Sequence, residues 1–246
     1  MISQARGRPL CVVTGARRGI GRAIALAAAD AGYDLVLVDR GSAEETEREV
    51  RQHGAGCRRQ VCDITDSEAI AEFYRGLGAD AARLAGLVNN AGDSGERMNL
   101  ADAPIGMIDR VLATNVRGTI LMCQGAVAAM SARGGGAIVN ISSQCASFGG
   151  NGLTAYAASK AAVNGLTISL ARETASAKVR VNAVSPGPVL TDRLKVLTPE
   201  RLREMEASLP MGRFLTSDEV AAVVVWLLSD AASYVSGAIV PVHGAR

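Results

Sequence analysis

Lysine is nearly absent. Only Lys160, Lys178 and Lys195 stand against 23 arginines, so a lysine beside another titratable residue stands out. Histidine is rarer still, with His53 and His243 alone, which leaves little room for histidine catalysis or a His-rich metal site. The five cysteines (Cys11, Cys57, Cys62, Cys123 and Cys145) form no C-x-x-C pair and are odd in number. That argues against a disulfide framework or zinc site and for a reducing compartment, so the expected location is the cytoplasm, with no metal. Long apolar runs are missing too. The strongest, residues 220–228, is nine residues, about half of the roughly 20 that span a bilayer. Residues 1–9 carry arginines but no apolar core of a signal peptide. Neither charge sign dominates: 26 basic and 24 acidic residues leave +2, which argues against a nucleic-acid partner. What remains is 48% hydrophobic and 20% charged over 246 residues. This is the mix of a globular chain long enough to bury a core without staples.

Apolar β-rich runs alternate with Ala/Leu-rich amphipathic stretches. The runs at 10–14, 35–39, 59–63, 86–89, 137–142, 179–184 and 238–242 read as seven strands. Several are continuously apolar, as in strands covered on both faces. The stretches at 20–31, 43–53, 67–76, 108–131, 155–175 and 217–229 read as helices, the last opened by a Thr216–Glu219 capping pair. This alternation predicts an α/β fold: a doubly wound Rossmann fold with a seven-stranded parallel sheet and helices on both faces. No linker or repeat interrupts it, so one domain over 1–246 is expected. Residues 186–217 hold four prolines and no strand, with a short helix near 199–207. Such a segment beyond a strand end is a candidate substrate loop.

Thr14-Gly15-Ala16-Arg17-Arg18-Gly19-Ile20-Gly21 lies between the first strand and first helix. Glycines there allow a tight turn and bring a pyrophosphate to the free N–H groups of a helix N-terminus. Asp39 ends the second strand 24 residues after Gly15, near the position of an acid that accepts ribose hydroxyls. A carboxylate there repels a 2′-phosphate and favours NAD. Arg18 and Arg40 favour the alternative, NADP, because either can pair with a 2′-phosphate.

Tyr156 and Lys160 stand four apart at the start of a predicted helix, on one face. Chance places a Tyr-x-x-x-Lys in such a chain about 0.05 times. The lysine charge favours the phenolate and suits tyrosine to general acid/base work.

With these motifs, the chain resembles a short-chain dehydrogenase/reductase of the single-domain branch. The Thr14–Gly21 loop, Asn89-Asn90-Ala91-Gly92, Asn115, Ser142-Ser143, Tyr156 with Lys160, and Ser185-Pro186-Gly187 carry the likeness almost end to end. The resemblance implies catalytic roles for Asn115, Ser143, Tyr156 and Lys160. Tyr156 would exchange a proton with the substrate oxygen, and Ser143 would hydrogen-bond that oxygen. Lys160 would assist Tyr156 and hold the nicotinamide ribose, and Asn115 would hold a water linking Lys160 to solvent. Cofactor contacts would come from Gly15, Arg17, Arg18, Gly19, Ile20, Gly21, Asp39, Arg40, Asp63, Ile64, Asn89, Ala91 and Gly92. Tyr156, Lys160, Pro186, Gly187, Val189 and Thr191 would complete that set. Ser143, Gln144, Asn151 and Tyr156 would contact substrate. Asp93 and Ser94 read equally as a substrate entrance or a solvated loop.

The implied activity is hydride transfer between NAD(H) and a secondary alcohol or ketone. The polar residues lean toward a polyol, sugar or hydroxy acid. The alternative is an NADPH-dependent 3-oxoacyl-carrier-protein reductase, with Arg133 and Arg172 as docking candidates. The resemblance also implies a homotetramer that pairs helices 108–131 and 155–175 across one two-fold axis. The tail His243-Gly244-Ala245-Arg246 departs from the family's usual D/N-G-G turn, and His243 reads as structural or solvent-facing.

Overall fold

The computed structural model describes residues 7–191, 194 and 198–245. Among them, seven strands form one parallel sheet in the order β3-β2-β1-β4-β5-β6-β7. They are β1 (Leu10–Thr14), β2 (Asp34–Asp39), β3 (Cys57–Val61), β4 (Leu84–Asn89), β5 (Gly136–Ile141), β6 (Val179–Pro186) and β7 (Ile239–Val242). The chain order reverses between β1 and β4, and ligands of open α/β sheets bind at such a switch point, beyond the strands' carboxyl ends.

The helices are α1 (Gly19–Asp30), α2 (Glu44–Gln52), α3 (Ser67–Gly76), α4 (Ile105–Leu112), α5 (Thr119–Arg133), α6 (Cys145–Phe148), α7 (Thr154–Thr174), α8 (Pro199–Ala207) and α9 (Ser217–Leu228). The sheet is buried on both faces, so its strands carry little polar alternation. All five β1 residues are buried. Val13, Leu35, Leu37 and Val139 pack with Ile24 of α1 and Val224 of α9 on one face. Val12, Val36, Leu87 and Ile138 pack with Phe73 of α3 and Met122 of α5 on the other.

Besides β4, which also begins two residues early at Leu84, and the short helix α6, which was not expected, two departures from the sequence expectation have a clear physical cause. β3 begins two residues earlier than expected, at Cys57 opposite Leu35. It is an edge strand, and Arg58, Arg59 and Gln60 tolerate solvent there; Arg59 answers Glu44 and Glu47 at 2.8 and 2.6 Å. The long helix expected at 108–131 starts at Ile105 and is interrupted by a π-helical turn, Ala113–Gly118, before α5. Sequence periodicity does not register one inserted residue. Such turns recur at functional sites, and this one carries Asn115.

The Thr216–Glu219 pair forms a full capping box on α9. Thr216 Oγ1 accepts the Glu219 N–H at 3.2 Å, and the Thr216 N–H donates to Glu219 Oε2 at 2.9 Å. The expected substrate loop contains α8. Its residues 192, 193 and 195–197 lie outside the described residues, as does Arg246 of the tail. Among the described residues, no helix is long and apolar enough to cross a membrane, and no group of three His, Cys, Asp or Glu residues is placed to hold a metal.

Candidate active site

Two spaces open side by side above the carboxyl ends of the strands. A groove of about 650 Å³ runs over the glycine loop. A cavity of about 890 Å³ is lined on one side by Pro186 to Val189 and by Arg201 and Met205 of α8. Ile20, Asn90, Gly92, Ser94 and Thr191 line both.

The groove is shaped for a phosphate group. Arg18 precedes α1 without a side-chain cap, and the helix's first turn holds no acid. Its N–H groups and dipole are thus left for an anion. Glycine is required here by close approach: a Cβ on Gly21 would lie 2.1 Å from the Gly15 carbonyl oxygen, and one on Gly15 2.8 Å from Ala91 Cα. Thr14 Oγ1 accepts the N–H groups of Asn90 and Ala91 at 3.0 Å each. The Asn90 amide donates to the carbonyls of Thr14 and Gly15, also at 3.0 Å. The start of the glycine loop is therefore clamped to the end of β4, and the donor set and glycine cradle fit a dinucleotide.

At the groove's far end, Asp39 accepts the Gly41 N–H at 3.0 Å and the Arg17 N–H at 3.3 Å. The Arg17 guanidinium stands 3.8 Å from the same carboxylate. Arg18 and Arg40 line the groove as exposed side chains. Asp63 and Ile64 line it too, and Asp63 Oδ1 is occupied by the N–H and hydroxyl of Thr65, both at 2.9 Å.

The cavity gathers Ser143, Tyr156 and Lys160. Ser143 follows β5 and is buried, with its Oγ accepting the Cys145 N–H at 3.2 Å. Tyr156 and Lys160 sit in the first turns of α7. Lys160 is only 5% exposed, and its Nζ donates to the Ile141 carbonyl at 2.7 Å. It stands 5.8 Å from the centre of the Tyr156 ring. Burial pulls the Lys160 ammonium down to about 8. Ser142 also lines the cavity, but its Oγ is engaged with α7, donating to Asn164 Oδ1 at 2.6 Å.

Asn115, carried by the π turn, is fully buried and braces this constellation. Its Oδ1 accepts the Asp93 N–H at 2.7 Å, and its Nδ2 donates to the Asp93 carbonyl at 2.6 Å and to Ser159 Oγ at 2.8 Å. Ser159 passes the link to the Tyr156 carbonyl at 2.7 Å. The side chain of Asn115 thus ties the loop after β4 to the turn bearing Tyr156.

The other expected residues divide clearly. Gln144 and Asn151 line the cavity, as do Pro186, Gly187 and Val189, while Thr191 reaches both spaces. Asn89, expected near the adenosine, lines neither. Strand alternation turns its amide inward, where it donates to Asn140 Oδ1 at 2.9 Å and Cys123 Sγ at 3.2 Å. Asp93 forms an ion pair with Arg110 at 2.7 Å and sits at the groove, and buried Ser94 lines both spaces. Sequence reasoning missed Arg97, Leu194, Arg201, Met205 and Leu209 as cavity residues. Only the proline-rich character of 186–217 hinted at the last four. His53 closes α2 and meets Asp30 at 2.6 Å.

A family model described as enoyl-(acyl carrier protein) reductase matches residues 15–244. The chain is 39% identical over 243 residues to the D-threitol dehydrogenase of Mycolicibacterium smegmatis, covering 96% of this chain and 91% of the relative. It is 35% identical over 236 residues to a 3-oxoacyl-carrier-protein reductase of Staphylococcus aureus, covering 95% and 96%. A crystal structure from Beutenbergia cavernae with bound NADP, a protein thought to be an NAD(P)-dependent gluconate 5-dehydrogenase, superposes with a TM-score of 0.91. It shares 38% identity and covers 97% of this chain and 96% of that one. The chain belongs to the short-chain dehydrogenase/reductase family and is an oxidoreductase acting on CH–OH groups.

Proposed function

We propose that this protein, a single domain over residues 1–246, interconverts a secondary alcohol and a ketone on a small hydroxylated substrate, with NAD as its cofactor. A polyol, sugar or hydroxy acid is the substrate class. The observation that carries this reading is the convergence of Ser143, Tyr156 and Lys160 on one cavity that opens onto the glycine-lined groove.

The α1 N-terminus would hold the diphosphate, with Asp39 receiving the adenosine ribose. The bound dinucleotide supplies or accepts the hydride. Around the reacting carbon, the Ser143 hydroxyl donates to the substrate oxygen and fixes its place. At the same oxygen, the Tyr156 hydroxyl gives its proton in reduction and becomes the phenolate, and in oxidation the phenolate takes the alcohol proton. The Lys160 ammonium stabilises negative charge on the phenolic oxygen within a dry site, where such charges act strongly. Asn115 holds the Tyr156 turn in register through Ser159.

NAD is favoured by Asp39, whose carboxylate is fixed in the groove by two backbone N–H groups. The exposed Arg18 and Arg40 favour a second reading, an NADPH-dependent 3-oxoacyl-carrier-protein reductase like the Staphylococcus relative. Of its docking candidates, Arg133 is spent on the carbonyl of Gly135 at 2.9 Å, and Arg172 is exposed. The D-threitol and gluconate enzymes among the relatives support the substrate class of the first reading, not its choice of NAD, since the gluconate structure holds NADP. A homotetramer is part of the proposal. Half-exposed Ile120 on α5, Ile168 on α7 and Trp226 on α9 offer apolar contacts for it. The test is titration of the purified protein with NADH and NADPH at matched salt. NADH tighter by about tenfold, a difference of 1.4 kcal/mol, supports the first reading. NADPH tighter by that margin supports the second.

A further inference from the structure

Among the described residues, two neighbouring polar side-chain atoms are buried without a partner: Gln144 Oε1 in the wall of the cavity, and His243 Nδ1 in a small adjoining pocket that shares Gly187 with it. Burying an unpaired donor or acceptor is costly, and each such group calls for an explanation. Both residues converge on Gly187. A Cβ there would lie 3.0 Å from His243 Cα and Cβ and 3.4 Å from Gln144 Oε1. The approach is fixed by backbone, since the Gly187 N–H donates to the Val242 carbonyl at 2.9 Å and the Gln144 N–H to the Pro186 carbonyl at 3.0 Å. The His243 ring also packs edge-on against Phe148, with ring centres 5.6 Å apart. Phe148 belongs to the helical turn that Gln144 opens, its N–H donating to the Gln144 carbonyl at 3.0 Å.

The orphans are complementary. An amide oxygen only accepts, and a neutral imidazole carries its proton on either nitrogen. We propose that His243 is a positioning residue for substrate recognition: with its proton on Nδ1, it donates to Gln144 Oε1 after a side-chain rotation. That bond turns the Gln144 amide nitrogen into the cavity beside Ser143, as a fixed donor to a second oxygen of the substrate. The tail's departure from the D/N-G-G turn would thus have a use, because the residue before Gly244 acts on the substrate site through Gln144. This inference rests on the reading of the cavity as one for a small hydroxylated substrate.

The experiment is steady-state oxidation of D-threitol with NAD by the full-length protein and its variants. His243→Leu is expected to raise the KM for D-threitol roughly five- to tenfold, the worth of one hydrogen bond, with kcat and NADH affinity held. His243→Asn, whose side-chain N–H can stand where Nδ1–H stood, is expected to restore the KM. In a Gln144→Leu background, His243→Leu is expected to add nothing. Asn and Leu variants that behave alike, or effects that multiply, would overturn the proposal. If the wild type oxidises no polyol, the functional reading fails, and side-chain NMR of the free protein decides this inference separately. His243 as the Nδ1–H tautomer, changed by Gln144→Leu, supports it; the Nε2–H tautomer overturns it.

Discussion

Lys160 is a charge held where the fold would rather have none. Its ammonium is 5% exposed, bonded to the Ile141 carbonyl, and its pKa drops from 10.5 to about 8. In the unfolded chain it keeps its ordinary value. Between about pH 8 and 10.5 the unfolded state therefore binds more protons than the folded one, and stability rises with pH across that window. Below it, the full cost of the buried ammonium, about 3 kcal/mol at 1.36 kcal/mol per pKa unit, is present. Replacing the residue in Lys160→Met removes this titration and leaves the rest of the protein's ionisations in place. The difference in unfolding free energy between wild type and variant is expected to move by about 2–3 kcal/mol in the wild type's favour from pH 7 to pH 10. In urea this corresponds to a relative midpoint shift of about 1 M. The assay is equilibrium urea denaturation of both proteins at matched concentration, at pH 7, 8, 9 and 10. Parallel pH profiles would refute the claim that burial in the fold penalises the Lys160 ammonium.

Asp39→Asn is expected to weaken NADH binding and strengthen NADPH binding, shifting their ratio by about tenfold or more; equal changes for both would show that Asp39 does not choose between them. Gly21→Ala places a methyl 2.1 Å from the Gly15 carbonyl, so NADH binding is expected to be lost, and retained wild-type affinity would contradict the cradle. Asn115→Ala deletes three side-chain hydrogen bonds, the one to Ser159 fully buried. It is expected to cost about 2–4 kcal/mol in unfolding free energy and to lower kcat more than NADH affinity. A stability unchanged in denaturation would remove Asn115 from its bracing role.

What could be read from the chain was local or motif-borne. β1 is five apolar residues ending at the glycine loop, and the α9 capping box is four residues long, so both fell where expected. The Tyr156 and Lys160 placement follows from helical spacing alone. The edge strand β3 was misplaced because solvent on its outer side removes the apolar signal. The π turn at Asn115 was invisible because a single inserted residue keeps helical composition. Asn89 and Asn90 are chemically identical neighbours, and only strand alternation decides that one faces the core and the other the groove. Arg97 reaches the cavity from the loop after β4, Met205 from α8 and Leu209 from just beyond it, by contacts no local pattern encodes. Gln144 and His243 are likewise 99 residues apart in sequence and are brought together around Gly187 only by the fold.

The most direct test of the central claim compares wild type with Tyr156→Phe in NAD reduction by a panel of polyols, sugars and hydroxy acids, beside NADH binding by titration. The account predicts turnover by the wild type, a fall of at least about 100-fold without the phenolic proton, and NADH affinity unchanged within about twofold. Turnover by Tyr156→Phe equal to that of the wild type would contradict the assignment of Tyr156 as the acid/base of this site.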